Sequence, residues 1–463
     1  MDIFNSVKNF NCAPQLEASQ NHCRMNSCFN KKYRTMDGAC NNPFNPLLGA
    51  AATPYLRLLG QHFRDGLSSP FGSTLPRPRE ISLSLLSTKK SSFDRRFNTM
   101  IMAWGQFVAH DMTHNSLSIK MKCSVLGCDT LNPECLQISV NNTDSTYGCP
   151  NDRCCIKFAR AASMCGAKIR NNVNQNTAFI DGSQIYGSAY ADSDFLRNPS
   201  NNNGMLRFSS FDGQMFLPFH KEHCSDDDED NNRNCEPLFD TGDNRNKLFL
   251  GLAALHTLFL REHNRLVKIL KNLNPKWTGE KLFQFPDFAP RDFLGGGVDI
   301  DSILKSMMNT PIKKPQSGVS HRLIEQKLEN IDDLAAVNIQ RGRDAGMPPY
   351  NRLREFCGLK RAAEFQDFSN EISDLETRKK MEELYKNPDD VDSYVGLLLE
   401  DAHPGGLVGP TTRCIIIDQF KRIRDGDRFW YQNAGSFTKA QLLELERVSL
   451  ARILCDNGDR MDF

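Results

Sequence analysis

The chain has 463 residues and a net charge of +1, with 39% hydrophobic and 24% charged residues. These values are typical of a globular protein, and so small a net charge argues against a bulk attraction to nucleic acid or to a membrane surface. No apolar run approaches the roughly 20 residues that a membrane-spanning helix needs. The composition therefore predicts neither a nucleic-acid partner nor a membrane span.

The sixteen cysteines bear on where the protein acts. Their even number and their clustering in loop-like stretches are typical of disulfides formed in an oxidising compartment. Residues 1–10 lack the basic-then-apolar order of a signal peptide, so we expect an extracellular protein whose export signal is missing from this chain. One N-glycosylation sequon, Asn141-Asn142-Thr143, fits a secreted loop but is also a frequent chance match.

The first half of the chain alternates irregular stretches with one helix. Residues 1–60 are rich in Asn, Cys and Pro and indicate irregular, cysteine-tied structure. A helical pattern then extends from residue 92 to about residue 114. Residues 123–165 and 198–243 are predicted to be loops, the first of them rich in cysteine.

The second half is predicted to be predominantly helical. Leucines and other apolar residues recur at intervals of three, four or seven from Leu248 to Leu270, and Asn274-Pro275 ends this long helix. From residue 300 onward helical patterns alternate with short loops. Because neither repeats nor a clear strand alternation occur, the predicted class is mainly α with few or no strands.

The helix predicted over residues 92–114 carries polar residues in an apolar setting. Gln106 and His110 are four residues apart, so they share one helix face, whereas Asp111 points elsewhere and can serve a second site. Taken alone, such a histidine is more often a hydrogen-bonded core residue. His110-Asp111-Met112-Thr113-His114 also mimics the His-Glu-x-x-His zinc motif, although Asp is one methylene shorter than the usual base and no third ligand is evident.

Several long motifs occur in a characteristic order between residues 33 and 458. They are residues 33–42; Trp104-Gly105-Gln106-Phe107 with His110-Asp111; Thr177-Ala178-Phe179-Ile180-Asp181-Gly182-Ser183; Gly242-Asp243-Asn244-Arg245; residues 256–266; Asn338-Ile339-Gln340-Arg341-Gly342-Arg343-Asp344; and residues 424–431 and 449–457. Together they resemble the animal haem peroxidases of the myeloperoxidase–peroxidasin superfamily, most closely the peroxidasin type. The resemblance implies a haem peroxidase-like helical domain with disulfide-stapled loops over residues 33–463, after a Cys-containing extension of residues 1–32.

The resemblance also implies roles for five residues in the reduction of hydrogen peroxide with oxidation of a halide or phenolic donor. His110 matches the distal acid–base, Arg245 the cation that stabilises charge as the O–O bond breaks, and Gln106 a residue that binds ligand and water over the haem. Asn338 would hydrogen-bond the proximal imidazole, and Arg341 would face a haem propionate. The alternatives are a capping or salt-bridge role for Arg245 and a core-amide role for Gln106.

A calcium site beside the distal helix is also implied by the resemblance. The positions that match its ligands are Asp111, Thr177, Phe179 through its carbonyl, Asp181 and Ser183. Carboxylates, hydroxyls and a carbonyl are the hard oxygen donors that calcium prefers. The alternative is an Asp/Ser-rich turn. Asp37, Asp144 and the acidic run 226–230 are expected to be solvated carboxylates outside this set.

The sequence departs from the family at the haem itself. Ala109 and Leu248 occupy the positions of two carboxylates that usually form ester links, so any haem b would be bound non-covalently. The proximal histidine is missing, because Gln284 runs almost directly into residues 285–301, which resemble the stretch after the proximal helix. His321 lies beyond this gap and matches no family histidine.

Two functional hypotheses follow from the resemblance and its departures. The first is a haem-dependent peroxidase acting on hydrogen peroxide and a small donor, with extracellular matrix or cuticle proteins as further partners. The second is a non-catalytic, calcium-binding interaction or structural protein that has lost proximal haem ligation. Cys455 would pair in the family with a cysteine nearer the C-terminus, so we expect an unpaired Cys455 in a shortened product.

Overall fold

A computed structural model of the chain describes most of the sequence after residue 32. The described residues are 33–72, 74–88, 92–117, 123–124, 126–148, 154–197, 203–219, 239–283, 300–314, 319–320, 322–325 and 332–458. His321 and the acidic run 226–230 lie outside these residues. Within the described residues no helix is both long enough and apolar enough to cross a membrane.

Helices dominate the structure. They are α1 (Pro78–Ile81), α2 (Met100–Met112), α3 (Ser183–Tyr186), α4 (Tyr190–Leu196), α5 (Leu250–Leu273), α6 (Gly279–Phe283), α7 (Ile300–Asn309), α8 (Arg322–Glu325), α9 (Leu334–Asp344), α10 (Tyr350–Phe356), α11 (Leu375–Tyr385), α12 (Ser393–Leu399), α13 (Pro410–Gly426), α14 (Lys439–Leu445) and α15 (Leu450–Asn457). A π-helical turn covers Ser82–Leu86, and 3-10 turns cover Asn244–Leu248, Phe365–Phe368 and Pro388–Asp390. The predicted mainly α class is confirmed.

The strands are short and form two-stranded ladders. They are β1 (Thr53–Pro54), β2 (Ser87–Thr88), β3 (Phe93–Asn98), β4 (Ile138–Val140), β5 (Cys154–Ile156), β6 (Val173–Asn174), β7 (Ser209–Phe211), β8 (Gln214–Phe216), β9 (Pro311–Lys313) and β10 (Val319–Ser320). The pairs β1–β6, β3–β9, β4–β5 and β7–β8 are antiparallel, and β2–β10 is parallel. No ladder within the described residues grows beyond two strands, so the sheets brace loops and do not form a layer of the fold.

Two predicted helix boundaries were wrong. Residues 93–98, included in the first predicted helix, form β3 and pair with β9 more than 200 residues later in the chain. Because the partner strand is so distant in the sequence, the residues around 93–98 do not reveal the pairing by themselves. The long helix begins at Leu250 and not at Leu248, because residues 244–248 form a 3-10 turn after the buried Asp243.

The long helix α5 organises the core around the polar residues of α2. Leu252, Leu255 and Leu258 are fully buried and belong to one apolar cluster with residues of α2, α7 and α15. Within that cluster α2 contributes Ala103 and Phe107, which lie four residues apart on one helix face. Packing through this face holds α2 in a fixed orientation, so its polar residues are positioned by the core.

Disulfides staple the loops, as predicted. Cys123 pairs with Cys135, Cys128 with Cys155, and Cys357 with Cys414. Cys455 is exposed and is not disulfide-bonded. The first two bridges lie within the predicted Cys-rich region, where β4 and β5 also form a ladder. That region is therefore more ordered than the loop expected from its sequence.

Asp144 was wrongly expected to be a solvated carboxylate. Its side chain is 3% exposed and accepts bonds of 2.7 and 3.1 Å from the guanidinium of Arg79. Arg79 also donates to Asp333 at 2.8 Å, and Asp333 caps α9 by accepting from the Ala336 amide. Arg79 thereby fastens the turn after β4 to the start of α9.

Replacing Arg79 with leucine should strongly destabilise the fold. The change leaves Asp144 and Asp333 buried without their cation, which typically costs about 3–5 kcal/mol. Urea unfolding measures the free energy directly. Arg447→Leu is the matched control, because Arg447 is 70% exposed and its partner Glu444 is 50% exposed, so its loss should change stability little. Equal effects of the two substitutions would contradict the structural role assigned to Arg79.

Candidate functional site

One face of α2 carries Gln106 and His110 together, as their spacing predicts, beside the core residues Ala103 and Phe107. The helix begins after Thr99 and its C-terminal turn contains His110. Gln106 Nε2 lies 2.6 Å from His110 Nε2. Nδ1 of His110 is buried and has no hydrogen-bond partner among the described residues. One imidazole nitrogen is therefore paired with an amide and the other is unpaired.

Burial keeps His110 neutral. Its exposed fraction is 1%, and burial, reinforced by the positive charge of Arg245, lowers the pKa of His110 from 6.5 to about 4. An imidazole with this pKa is unprotonated near neutral pH and can accept a proton from a bound substrate. The electrostatics of the site therefore hold His110 in the unprotonated form, which is the form from which a base acts.

Arg245 is anchored at the C-terminal end of α2. Its Nε donates to the carboxylate of Asp243 at 2.9 Å, and its terminal nitrogen donates to the carbonyls of Thr113 at 2.7 Å and His110 at 3.4 Å. The capping and salt-bridge role considered for Arg245 is thus present in the structure. It places a guanidinium, one quarter exposed, beside the turn that carries His110.

Asp111 points away from His110 into a second polar cluster. Its carboxylate accepts from the Ser183 amide at 2.7 Å, the Ser183 hydroxyl at 3.0 Å and the Gly182 amide at 3.2 Å. Gly182 has a φ of 78°, in the left-handed region that glycine adopts without strain. This turn aims two backbone amides at Asp111.

The loop before α3 contributes the rest of the cluster. The Thr177 hydroxyl donates to Asp181 Oδ2 at 2.7 Å, whereas Oδ1 of Asp181 is buried with no partner among the described residues. Phe179 is buried, and a Cβ at Gly49 would lie only 2.8 Å from its ring. Phe179 is therefore packed closely against Gly49, and the Asn176 side chain donates to the His110 carbonyl, which holds this loop beside α2.

The negative charges of two buried carboxylates in this cluster are not fully offset by neighbouring groups. Burial, and secondarily the charge of Asp181, raise the pKa of Asp111 to about 8. Burial raises the pKa of Asp181 to about 6, although Arg34 opposes this shift. A divalent cation would neutralise both groups and satisfy the unpartnered oxygen. The donor set therefore fits a hard cation such as calcium.

The cluster differs in composition from a site built only of His, Cys, Asp and Glu. No group of three or more such side chains placed to hold a metal occurs in the described part of the chain. Here two carboxylates lie with two hydroxyls, and the predicted fifth ligand is a backbone carbonyl. Calcium accepts such mixed oxygen sets, which distinguishes this cluster from a zinc site.

The proximal candidates have other partners. Asn338 donates to the Tyr394 hydroxyl at 3.2 Å. Arg341 donates to Asp344 at 2.8 Å and to the Ala159 carbonyl at 3.0 Å, and it lies over the ring of Phe158. Neither residue is hydrogen-bonded to a histidine within the described ranges.

The residues present therefore fit one half of a haem site. Gln106, His110 and Arg245 fit the distal half, since His110 contacts Gln106 through Nε2 and Arg245 is bonded to the backbone carbonyl of His110. The described residues supply no proximal ligand beside Asn338. Ala109 and Leu248 also lack the carboxylate that an ester link requires, so the fit to haem is incomplete.

Three residues near the site were not predicted to belong to it. Asp243 is fully buried and anchors Arg245, and the Nδ1 atom of His114 lies 3.9 Å from its carboxylate. The spacing Asp-x-Arg in Asp243-Asn244-Arg245, typical of a residue that caps a turn, is the signal that could have identified Asp243. His256 is buried and its ring packs against Phe107 in a T-shaped arrangement. It lies within the apolar pattern of α5, so periodicity gives no sign that it is near the site.

Comparisons with known proteins identify the family of the chain. A family model described as animal haem peroxidase matches residues 33–285 and 287–463. The peroxidase mlt-7 of Caenorhabditis elegans is 35% identical over 100% of this chain and 74% of its own length. The human peroxidasin homolog is 31% identical over 98% of this chain, which spans only 39% of that relative.

The structure of peroxidase A from Dictyostelium discoideum shows the same fold. It superposes with a TM-score of 0.75 and 23% identity, covering 92% of this chain and 97% of the other. The match to mlt-7 extends over 549 residues, more than the 463 of this chain, so that relative contains positions with no counterpart here. The family match and the relatives, which include peroxidasins, show that this chain belongs to the animal haem peroxidase family.

Proposed function

We propose that the chain carries the peroxide-handling half of a haem peroxidase, which reduces hydrogen peroxide and oxidises a halide or phenolic donor. The observation that supports this most is the buried, neutral His110 with its Nε2 atom 2.6 Å from Gln106. A neutral imidazole is the form that accepts a proton. Gln106 is placed to orient a ligand or water next to it.

The proposed roles are those that the family resemblance implies, and the chemistry of the side chains is compatible with them. His110 takes the proton from one peroxide oxygen and returns it to the other, so that the leaving oxygen departs as water. Arg245 remains charged in its partly buried position and stabilises the negative charge that develops as the O–O bond breaks. The complete reduction takes two electrons from the donor and two protons and turns both peroxide oxygens into water; haem b, when bound, would supply the redox centre through which these electrons pass.

A gap in the chain is part of this proposal. We infer that residues 33–463 form one domain after an extension of residues 1–32, and that a proximal segment is absent after Gln284. The family match begins at residue 33 and is interrupted at residue 286, which supports both inferences. We therefore expect haem b to bind weakly and non-covalently, and turnover to be low.

A second candidate is a non-catalytic, calcium-binding relative. The observation that favours it is the engagement of Asn338 with Tyr394 and of Arg341 with Asp344, which leaves the proximal side without a histidine partner among the described residues. In this case the calcium cluster would stabilise a fold used for interaction. Both candidates share the calcium site, so turnover separates them.

We also propose an extracellular site of action. The disulfides among the described residues support it, because such bridges persist in oxidising compartments. Extracellular matrix or cuticle proteins are proposed as partners on the strength of the peroxidasin resemblance.

Turnover of the purified chain with added haem, hydrogen peroxide and a phenolic donor tests the proposed function. We expect weak turnover that His110→Ala lowers by about 10²- to 10⁴-fold, the usual contribution of a general acid–base. His403→Ala is the matched control, because the His403 imidazole lies in an exposed turn and donates to the carbonyl of the neighbouring Pro404. Turnover that is equal in all three proteins would contradict the role of His110, and no turnover above free haem would favour the non-catalytic candidate.

A further inference from the structure

The turn after β4 presents an exposed asparagine in a glycosylation sequon. We propose that Asn141 is a site of N-linked glycosylation, an acceptor for an oligosaccharide carried on a lipid diphosphate. The proposal rests on the extracellular location proposed above. It is independent of peroxide chemistry, since the turn lies apart from α2 and the calcium cluster.

The sequon is accessible along its whole length. Asn141, Asn142 and Thr143 are all exposed. The side-chain oxygen of Asn141 accepts from the Thr143 amide at 3.2 Å, and its backbone carbonyl accepts from the Asp144 amide at 3.0 Å. Its side-chain nitrogen, the atom that receives the sugar, has no hydrogen-bond partner among the described residues. This nitrogen is therefore open to a transferase from the solvent side.

The other side of the turn is firmly anchored. Asp144 accepts from the amides of Thr146 at 2.9 Å and Tyr147 at 3.0 Å, and it pairs with Arg79. These contacts face the protein, whereas the sequon faces away from it. A glycan at Asn141 would extend into solvent without displacing any of them, so the modification is compatible with the folded structure.

A disulfide in the adjoining ladder supports entry into the compartment where glycosylation occurs. Val140, the residue before the sequon, pairs with Cys154 in the β4–β5 ladder. The next residue, Cys155, is bonded to Cys128. Disulfide formation and N-glycosylation both belong to the secretory route. The same hairpin thus carries two features of a secreted protein, one formed in the structure and one available on its surface.

The proposed reaction is a glycosyl transfer. The amide nitrogen of Asn141 forms a bond to the anomeric carbon of the first sugar, and the bond from that carbon to the phosphate oxygen breaks. The lipid diphosphate leaves with the electron pair, and the amide gives up one proton to a base of the transferase. Thr143 supplies the hydroxyl position that defines the sequon.

Expression of the full chain behind a cleavable secretory leader in eukaryotic cells tests the proposal. Cell-associated and secreted protein are pooled and treated with peptide-N-glycosidase. We expect a faster electrophoretic mobility after treatment and conversion of Asn141 to aspartate in the peptide mass spectrum. Asn141→Gln and Thr143→Ala should lose the shift, whereas Asn142→Gln and Thr143→Ser, which preserve the sequon, should keep it.

Unmodified Asn141 in wild-type chain whose leader has been removed and whose Cys357–Cys414 bridge has formed would overturn the proposal. A shift that persists in Asn141→Gln would overturn it equally, because the glycan would then lie elsewhere. The added leader brings the chain into the secretory route in either case. Failure at Asn141 is therefore distinguishable from failure of the peroxidase proposal, which turnover measures separately.

Discussion

Replacing Asp181 with alanine should abolish the calcium dependence of stability. In the wild type, calcium at about 100 times its dissociation constant should add about 2.7 kcal/mol to the free energy of unfolding. The reason is that Asp181 has an unpartnered buried oxygen beside the buried carboxylate of Asp111. Urea unfolding in calcium and in excess chelator measures the difference, which should vanish in the variant.

Asp194→Ala is the matched control for this measurement. Its carboxylate is 74% exposed and lies 4.0 Å from Arg197 at the surface, so the control should keep the full response to calcium. Ser183→Ala should weaken the response, because its hydroxyl contacts both the carboxylate and the carbonyl of Asp111. A wild-type protein that unfolds identically in calcium and in chelator would rule out the site.

The second large effect concerns the missing segment. Insertion of the corresponding segment of a relative such as mlt-7 after Gln284 should restore tight haem binding and raise peroxidase turnover well above that of the present chain. The axial ligand holds the iron and sets its electronic properties, whereas the distal residues supply proton transfer and charge stabilisation. In the restored protein, His110→Ala should lower turnover by about 10²- to 10⁴-fold.

The same insertion with its histidines changed to alanine is the control. It supplies an equal length of chain and equal packing but no imidazole, so haem binding should stay weak. Full turnover in this control would show that the ligand comes from elsewhere in the chain. Failure of the intact insertion to restore activity, in a protein that still responds to calcium, would contradict the proposed position of the gap.

Local periodicity predicted the parts of the site that lie within one helix. The four-residue spacing of Gln106 and His110 was sufficient to place them on one face, and the leucine pattern was sufficient to identify α5. The predictions that were wrong involved partners distant in sequence. β3 pairs with a strand near residue 312, and Asp144 is buried by Arg79. Neither partner can be read from the neighbouring residues.

The environment of Arg245 shows why roles are harder to predict than positions. The family resemblance proposed a role for Arg245 but not its contacts. Its hydrogen bonds to Asp243 and to the carbonyls of His110 and Thr113 depend on how the turn 244–248 folds against α2. Similarly, the raised pKa values of Asp111 and Asp181 arise from burial. Burial depends on the whole fold, so sequence alone could propose the ligand set but not its electrostatics.

A haem titration of the purified 463-residue chain, followed through the Soret band, tests the central claim most directly. The claim is that the distal half of the site is present while the proximal ligand is not. We predict a weak, broad band that does not saturate at one haem per chain. A sharp band at one equivalent, with the spectrum of imidazole ligation and lost in His321→Ala, would contradict the account by showing that another histidine binds the iron.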